Sequence, residues 1–103
     1  MENQTTVNLR LSAQRALLGM IYPEIRAITI GIEFMQNIET LKIICYLDRV
    51  PTEFDYQNIG EITGYILGDF NLIHKVEEIC EYTTEPIGKL KMLDSLVYYR
   101  LES

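Results

Sequence analysis

The chain has 103 residues, 48% of them hydrophobic and 23% charged, with a formal net charge of -6; it fits one globular domain and is too short for two. Its apolar runs are broken by Glu, Lys, Asp or Gly well short of the roughly 20 residues a bilayer span needs, which points to a soluble protein. Asp48 to Glu85 carries nine acids and two bases and the remainder six acids and seven bases, so the middle segment repels phosphate backbones and anionic lipid; it either attracts a basic partner or simply keeps a small domain soluble, and charge alone favours the second.

The opening "MENQTTVNLR" is polar, with no basic stretch leading into an apolar one. Neither a secretory signal nor a transit peptide is expected, and the cytoplasm is the expected compartment. Residues 1–7 are read as a flexible N-terminus and residues 8–103 as a single domain. In "NLRLSAQRALLGMIYP", Leu9, Ala13, Ala16, Leu17 and Met20 form one helical stripe, with Asn8 or Ser12 placed to cap its start and Pro23 to end it. "EIRAITIGIEF" alternates, with Ile28, Ile30, Ile32 and Phe34 on one side and Ala27, Thr29, Gly31 and Glu33 on the other, the period of a half-buried strand. "MQNIE" turns the chain, and "TLKIICYLD" is apolar enough to lie centrally, pairing antiparallel with the strand before it.

"VPTEFDYQNIGEITGYILGDF" opens a second helix, where Thr52 with Asp55 three residues on has the form of a capping box. Ile59, Ile62, Ile66 and Phe70 converge on its inner face, while Gly60, Gly64 and Gly68 form a band facing away from the core beside Gln57, Glu61 and Tyr65. "IHKVEEICEY" reads as a third strand with a bulge, because Val76 and Cys80 are in phase and Ile79 is not. "TTEPIGKLKML" is a loop. "SLVYYRLE" closes the pattern as a strand with Leu96 and Tyr98 on one side and Val97 and Tyr99 on the other. The αββαββ order predicts an α+β, two-layer domain: a four-stranded antiparallel or mixed sheet with two helices on one face.

No constellation here carries catalysis. His74 is the single histidine, and no serine or cysteine near it in sequence comes with an Asp to orient it. Glu77 and Glu78 point to opposite faces of a strand, poor geometry for a shared metal or an acid/base pair. Cys45 and Cys80 have apolar flanks and no CxxC spacing, so they are expected to be buried and reduced. No cofactor or metal is expected. The glycine band is open to two readings: neutral surface positions, or a lane against which another chain packs, with Tyr65 as an anchor.

The ordered segments "RALLGMIYPEIRAITI", "CYLDRVPTEFD", "EITGYILGDF" and "LDSLVYYRLE" resemble a family of small acidic bacterial proteins, the immunity proteins of contact-dependent growth inhibition and related polymorphic toxin systems. The similarity runs from Arg15 to Glu102. It implies a non-enzyme that binds a cognate toxin, commonly a nuclease, and covers its active site or an essential surface. Carboxylates matched to a nuclease's phosphate-binding cations suit that task. Asp55, Glu61, Asp69, Glu77, Glu78 and Glu81 are therefore the expected toxin-binding acids, and Tyr56, Tyr65 and Tyr82 the aromatic anchors. The chain departs from the family pattern at Arg49, where a glycine follows the aspartate that ends the second strand. A non-catalytic adaptor would use the same lane and acids, and a small-molecule enzyme would need a pocket with convergent polar groups.

Overall fold

The computed structural model describes residues 4–70 and 73–102. The elements are α1 Gln4–Ala16, β1 Ile25–Met35, β2 Ile38–Leu47, α2 Glu53–Leu67, β3 Lys75–Tyr82 and β4 Ser95–Tyr99, with a 3-10 turn at Ile87–Lys89. The sheet order is β3-β2-β1-β4. β1 runs antiparallel to both β2 and β4, and β3 runs parallel to β2, so the sheet is mixed. Parallel pairing follows from connecting β2 to β3 through a helix, which returns the chain to the end where it began.

Both helices cover one face of the sheet. Leu9, Ala13 and Ala16 of α1 and Ile59, Ile62 and Ile66 of α2 pack there on Ile28, Ile30, Leu41, Ile43, Cys45 and Leu47. α1 begins four residues ahead of Asn8, so Gln4–Val7 form its first turn rather than a flexible lead; residues 1–3 lie outside the described residues. Ser12, an expected cap, is instead buried within the helix. The β1–β2 hairpin turns on two residues with positive φ, Gln36 (51°) and Asn37 (64°), the pattern whose twist suits a two-residue hairpin.

The opposite face is not left to solvent. Leu90 and Leu93, from the segment linking β3 to β4, pack on Ala27, Ile44 and Tyr46 together with Ile79. The Tyr46 hydroxyl donates to the Lys91 carbonyl (2.7 Å), and the Thr29 hydroxyl donates to Ser95 O (2.8 Å) while accepting from Leu93 N–H (2.9 Å). Arg26 is buried where this segment begins; it donates to the Thr83 and Glu85 carbonyls and to both Glu102 oxygens, each at 2.8 Å. β1 is consequently buried on both sides, with Ala27 and Thr29 as enclosed as Ile28 and Ile30.

That second apolar layer accounts for two departures from the expected pattern. β3 keeps an unbroken register from Thr40↔Lys75 to Leu47↔Tyr82 and has no bulge. Ile79 is out of phase with Val76 and Cys80 because it packs beneath the sheet while they pack above it. In β4 the register shifts between Tyr98 and Leu96, so Val97 and Tyr98 both pack on the helix-side core instead of dividing between faces. The linking segment also explains one glycine: a Cβ at Gly31 would stand 2.9 Å from Asp94 Oδ2 and 3.1 Å from the Asp94 amide nitrogen.

Candidate functional site

The capping box that starts α2 forms as expected, and it places Asp55 inside the protein rather than on its surface. Asp55 accepts from the Thr52 amide (2.7 Å) and hydroxyl (3.0 Å), from both terminal nitrogens of Arg49 (2.6 and 3.0 Å) and from the Tyr22 hydroxyl. Burial pushes its carboxyl up, but the Arg49, Tyr22 and Thr52 donors outweigh that and hold it well below the usual carboxylate range. Burial and the same carboxylate push the Tyr22 phenol up. Asp55 is thus a structural charge with its acceptor capacity filled, and the expectation that it meets a partner is corrected. Fully enclosed by donors of its own chain, it has no oxygen to offer.

Asp69 is also engaged within the chain. Its Oδ2 accepts from the Ser12 hydroxyl (2.6 Å) and from Arg15 (3.4 Å), clamping the segment after α2 to α1. The Ser12 hydrogen bond, with Arg15 adding to it, lowers its carboxyl against a smaller cost of burial. Glu77 and Glu78 diverge to opposite faces as expected. Glu78 accepts from the Thr63 hydroxyl of α2, and Glu77 pairs with Lys42 of β2 at 3.5 Å. Glu61 and Glu81 are exposed and carry no hydrogen bond or ion pair within the described residues.

These contacts fix how α2 is turned. Thr63 reaches Glu78, and the Tyr56 hydroxyl donates to the Cys80 carbonyl (3.4 Å), so the helix flank bearing Tyr56 stands over β3. Gly60 follows Tyr56 on the outer margin of that flank and Gly64, a further turn on, points away from the core, since each i+4 step rotates by about 40°; a Cβ at either would meet nothing within 4 Å. On the other flank Asn58 donates to the Met20 carbonyl at the end of the α1 region (3.1 Å). Tyr65, seven residues on, shares that stripe, and Glu61 lies between the two flanks. The expected set therefore separates: Tyr56, Glu77, Glu78, Glu81 and Tyr82 gather around β3, whereas Tyr65 sits toward α1, Asp55 is buried, and Asp69, still exposed, is tied to α1 through one oxygen.

Residue types gave no warning that β3 is the edge of the sheet, although its density of charge (Lys75, Glu77, Glu78, Glu81) is the device by which edges are protected. Cys45 and Cys80 are buried, free and opposite one another in the β2–β3 register. The hydrogen bond to Cys80 and burial push the Cys45 thiol up, which disfavours the reactive thiolate. A concavity of about 500 Å³ lies beside Arg26 and Arg100. Both guanidiniums there are occupied, Arg26 as described and Arg100 by Asp48 (2.7 Å), Glu102 (2.8 Å) and the Pro23 carbonyl (2.8 Å).

The family model described as "MafI2 immunity protein" matches residues 6–102. No curated protein matches the chain. Among solved structures, "MamM CTD - Copper form" is similar at a TM-score of 0.49 and 16% identity, over 84% of this chain and 89% of that one. A double variant of the MamM CTD is similar at 0.49 and 14% identity, over 77% of this chain and 95% of that one. At that identity and overlap neither likeness bears on what this chain does.

Proposed function

This chain belongs to the MafI2 immunity protein family, and from that membership we propose that it binds a cognate toxin in the cytoplasm, a basic nuclease domain, and silences it by occlusion. It acts by covering the toxin's active-site or substrate-binding surface, with no chemistry of its own. The observation that carries the reading is where uncommitted charge remains. Within the acidic middle segment Arg49 is consumed by Asp55, whereas Glu53, Glu61 and Glu81 stay exposed and unpaired among the described residues. A nuclease must present cations to phosphate, and those carboxylates match them in sign and speed the encounter.

The test is kinetic and enzymatic together. The toxin domain encoded beside this gene should degrade nucleic acid, and stoichiometric addition of the protein should stop it. Association should slow markedly as ionic strength rises and the screening length falls from about 30 to about 8 Å. Glu81→Lys should reduce the on-rate without altering the fold. A toxin whose activity is not nucleolytic, or an on-rate indifferent to salt, would overturn the proposal.

A further inference from the structure

β3 has one free side. In a parallel ladder, alternate residues turn both backbone groups to the same neighbour. Thr83 N–H donates to Leu47 O (3.2 Å), and Leu47 is registered with Tyr82. The groups of Glu77, Ile79 and Glu81 are thereby directed at β2, and those of Val76, Glu78, Cys80 and Tyr82 point away from the sheet. Of the outward groups, the Cys80 carbonyl is reached by Tyr56. No bulge or proline interrupts the eight residues of this edge, so its guard against pairing is charge alone, which a strand of opposite charge would satisfy.

The space beside this edge is shaped from above. The α2 flank over it carries Thr63 and Tyr56, pinned by the Thr63–Glu78 hydrogen bond, with Gly60 on its outer margin and open space where a side chain there would project. Below, β3 presents Glu77, Ile79 and Glu81 in alternation, with Glu77 shared with Lys42 and Glu81 unpaired among the described residues.

We infer that the β3 edge and the α2 flank at Tyr56 and Gly60 form a slot for an extended segment of the cognate toxin, which adds to the sheet as a fifth strand. The inference rests on the reading of this chain as a toxin-binding protein and names how the toxin is held. Backbone pairing with Val76, Glu78 and Tyr82 supplies attachment, and side-chain alternation supplies selectivity. Residues of the incoming strand that point up meet Tyr56 and the space beside Gly60. Those that point down lie beside Glu77 and Glu81, so that strand carries Lys or Arg at alternate positions. The same carboxylates argue against a second copy of this chain, since edge-to-edge pairing of two β3 strands sets like charges beside one another.

The slot is tested by residue-resolved amide exchange of the protein, free and bound to a catalytically inactivated form of the toxin domain encoded beside its gene. Glu77, Ile79 and Glu81 amides should be protected in both states, whereas Glu78 and Tyr82 should exchange rapidly when free and slow by about tenfold or more in the complex. Gly60→Phe, which adds bulk in open space beside Tyr56, should keep the unfolding midpoint yet weaken toxin binding by about tenfold or more. Toxin binding that leaves the edge amides unprotected, or unchanged affinity of a folded Gly60→Phe variant, would overturn the slot while leaving toxin binding in place. Edge protection in the concentrated protein without toxin would assign the slot to a second copy and overturn it as well. Absence of any toxin binding would overturn the functional reading and the slot with it.

Discussion

Arg49 and Asp55 meet in a two-pronged pair, Nη1 to Oδ2 at 2.6 Å and Nη2 to Oδ1 at 3.0 Å, across the corner between β2 and α2. The guanidinium is part-exposed and the carboxylate fully buried, so the pair lets a charge sit under the first turn of a helix. Arg49 is the position at which the chain departs from the resemblance drawn above, and the structure gives that departure a purpose.

The folded-state pKa of Asp55 is depressed, so its contribution to stability is present above the ordinary aspartate value of about 3.9 and is lost as pH falls below it. Arg49→Gly removes the strongest of the opposing donors and leaves the burial cost. The folded pKa should then rise, and the acid limb of urea midpoint against pH should move to higher pH. An unchanged acid limb would show that Tyr22 and Thr52 suffice.

Asp55→Ala should destabilise the protein by on the order of 3 kcal/mol, because the cap is lost along with a buried ionic contact. Measured at a temperature where the variant is folded, its toxin affinity should equal that of the parent. A loss of affinity at full folding would return Asp55 to the binding surface.

Two kinds of glycine should respond to alanine with opposite signs. Gly31→Ala forces a methyl against Asp94, including its backbone nitrogen, and should cost about 1–3 kcal/mol. Gly60→Ala and Gly64→Ala place the methyl in open space on a helix and should each stabilise by up to about 1 kcal/mol. Chemical denaturation of the three variants makes the comparison.

Cys45 should resist iodoacetamide at neutral pH in the native protein and react on unfolding, read by mass spectrometry. Cys45→Ala with Cys80→Ala should lower stability through lost packing and leave toxin binding intact.

The elements that the sequence made legible are those governed by neighbours in the chain. Thr52 and Asp55 form their box locally, Ile59, Ile62 and Ile66 share a face by period, and Gln36 with Asn37 turns a hairpin between two apolar runs. What escaped depends on residues far apart. Asp55 reads as a surface acid until Tyr22 and Arg49 close over it, and Asp69, which does stay at the surface, gives no sign that Ser12 and Arg15 hold one of its oxygens. The supposed bulge at Ile79 arose from assuming one apolar face, whereas Leu90 and Leu93, in a segment without periodicity, supply the second. Parallel pairing of β3, and so its place at the edge, leaves no mark in residue spacing. The candidate site was legible as a composition, acids and tyrosines on α2 and β3, and its layout was not.

The Arg26 guanidinium has a kinetic consequence. Its carboxylate partner, Glu102, lies 76 residues downstream, and the carbonyls it also needs belong to Thr83 and Glu85. During synthesis β1 therefore carries an unmatched cation destined for the interior until nearly all of that stretch has been made. Hairpin β1–β2 has its contacts early, but burying it with Arg26 unpaired would leave a charge desolvated and uncompensated. Completion of the sheet is thus tied to the arrival of Glu102, and chains shortened before it should be found by proteases as open species rather than persist as trimmed but folded proteins.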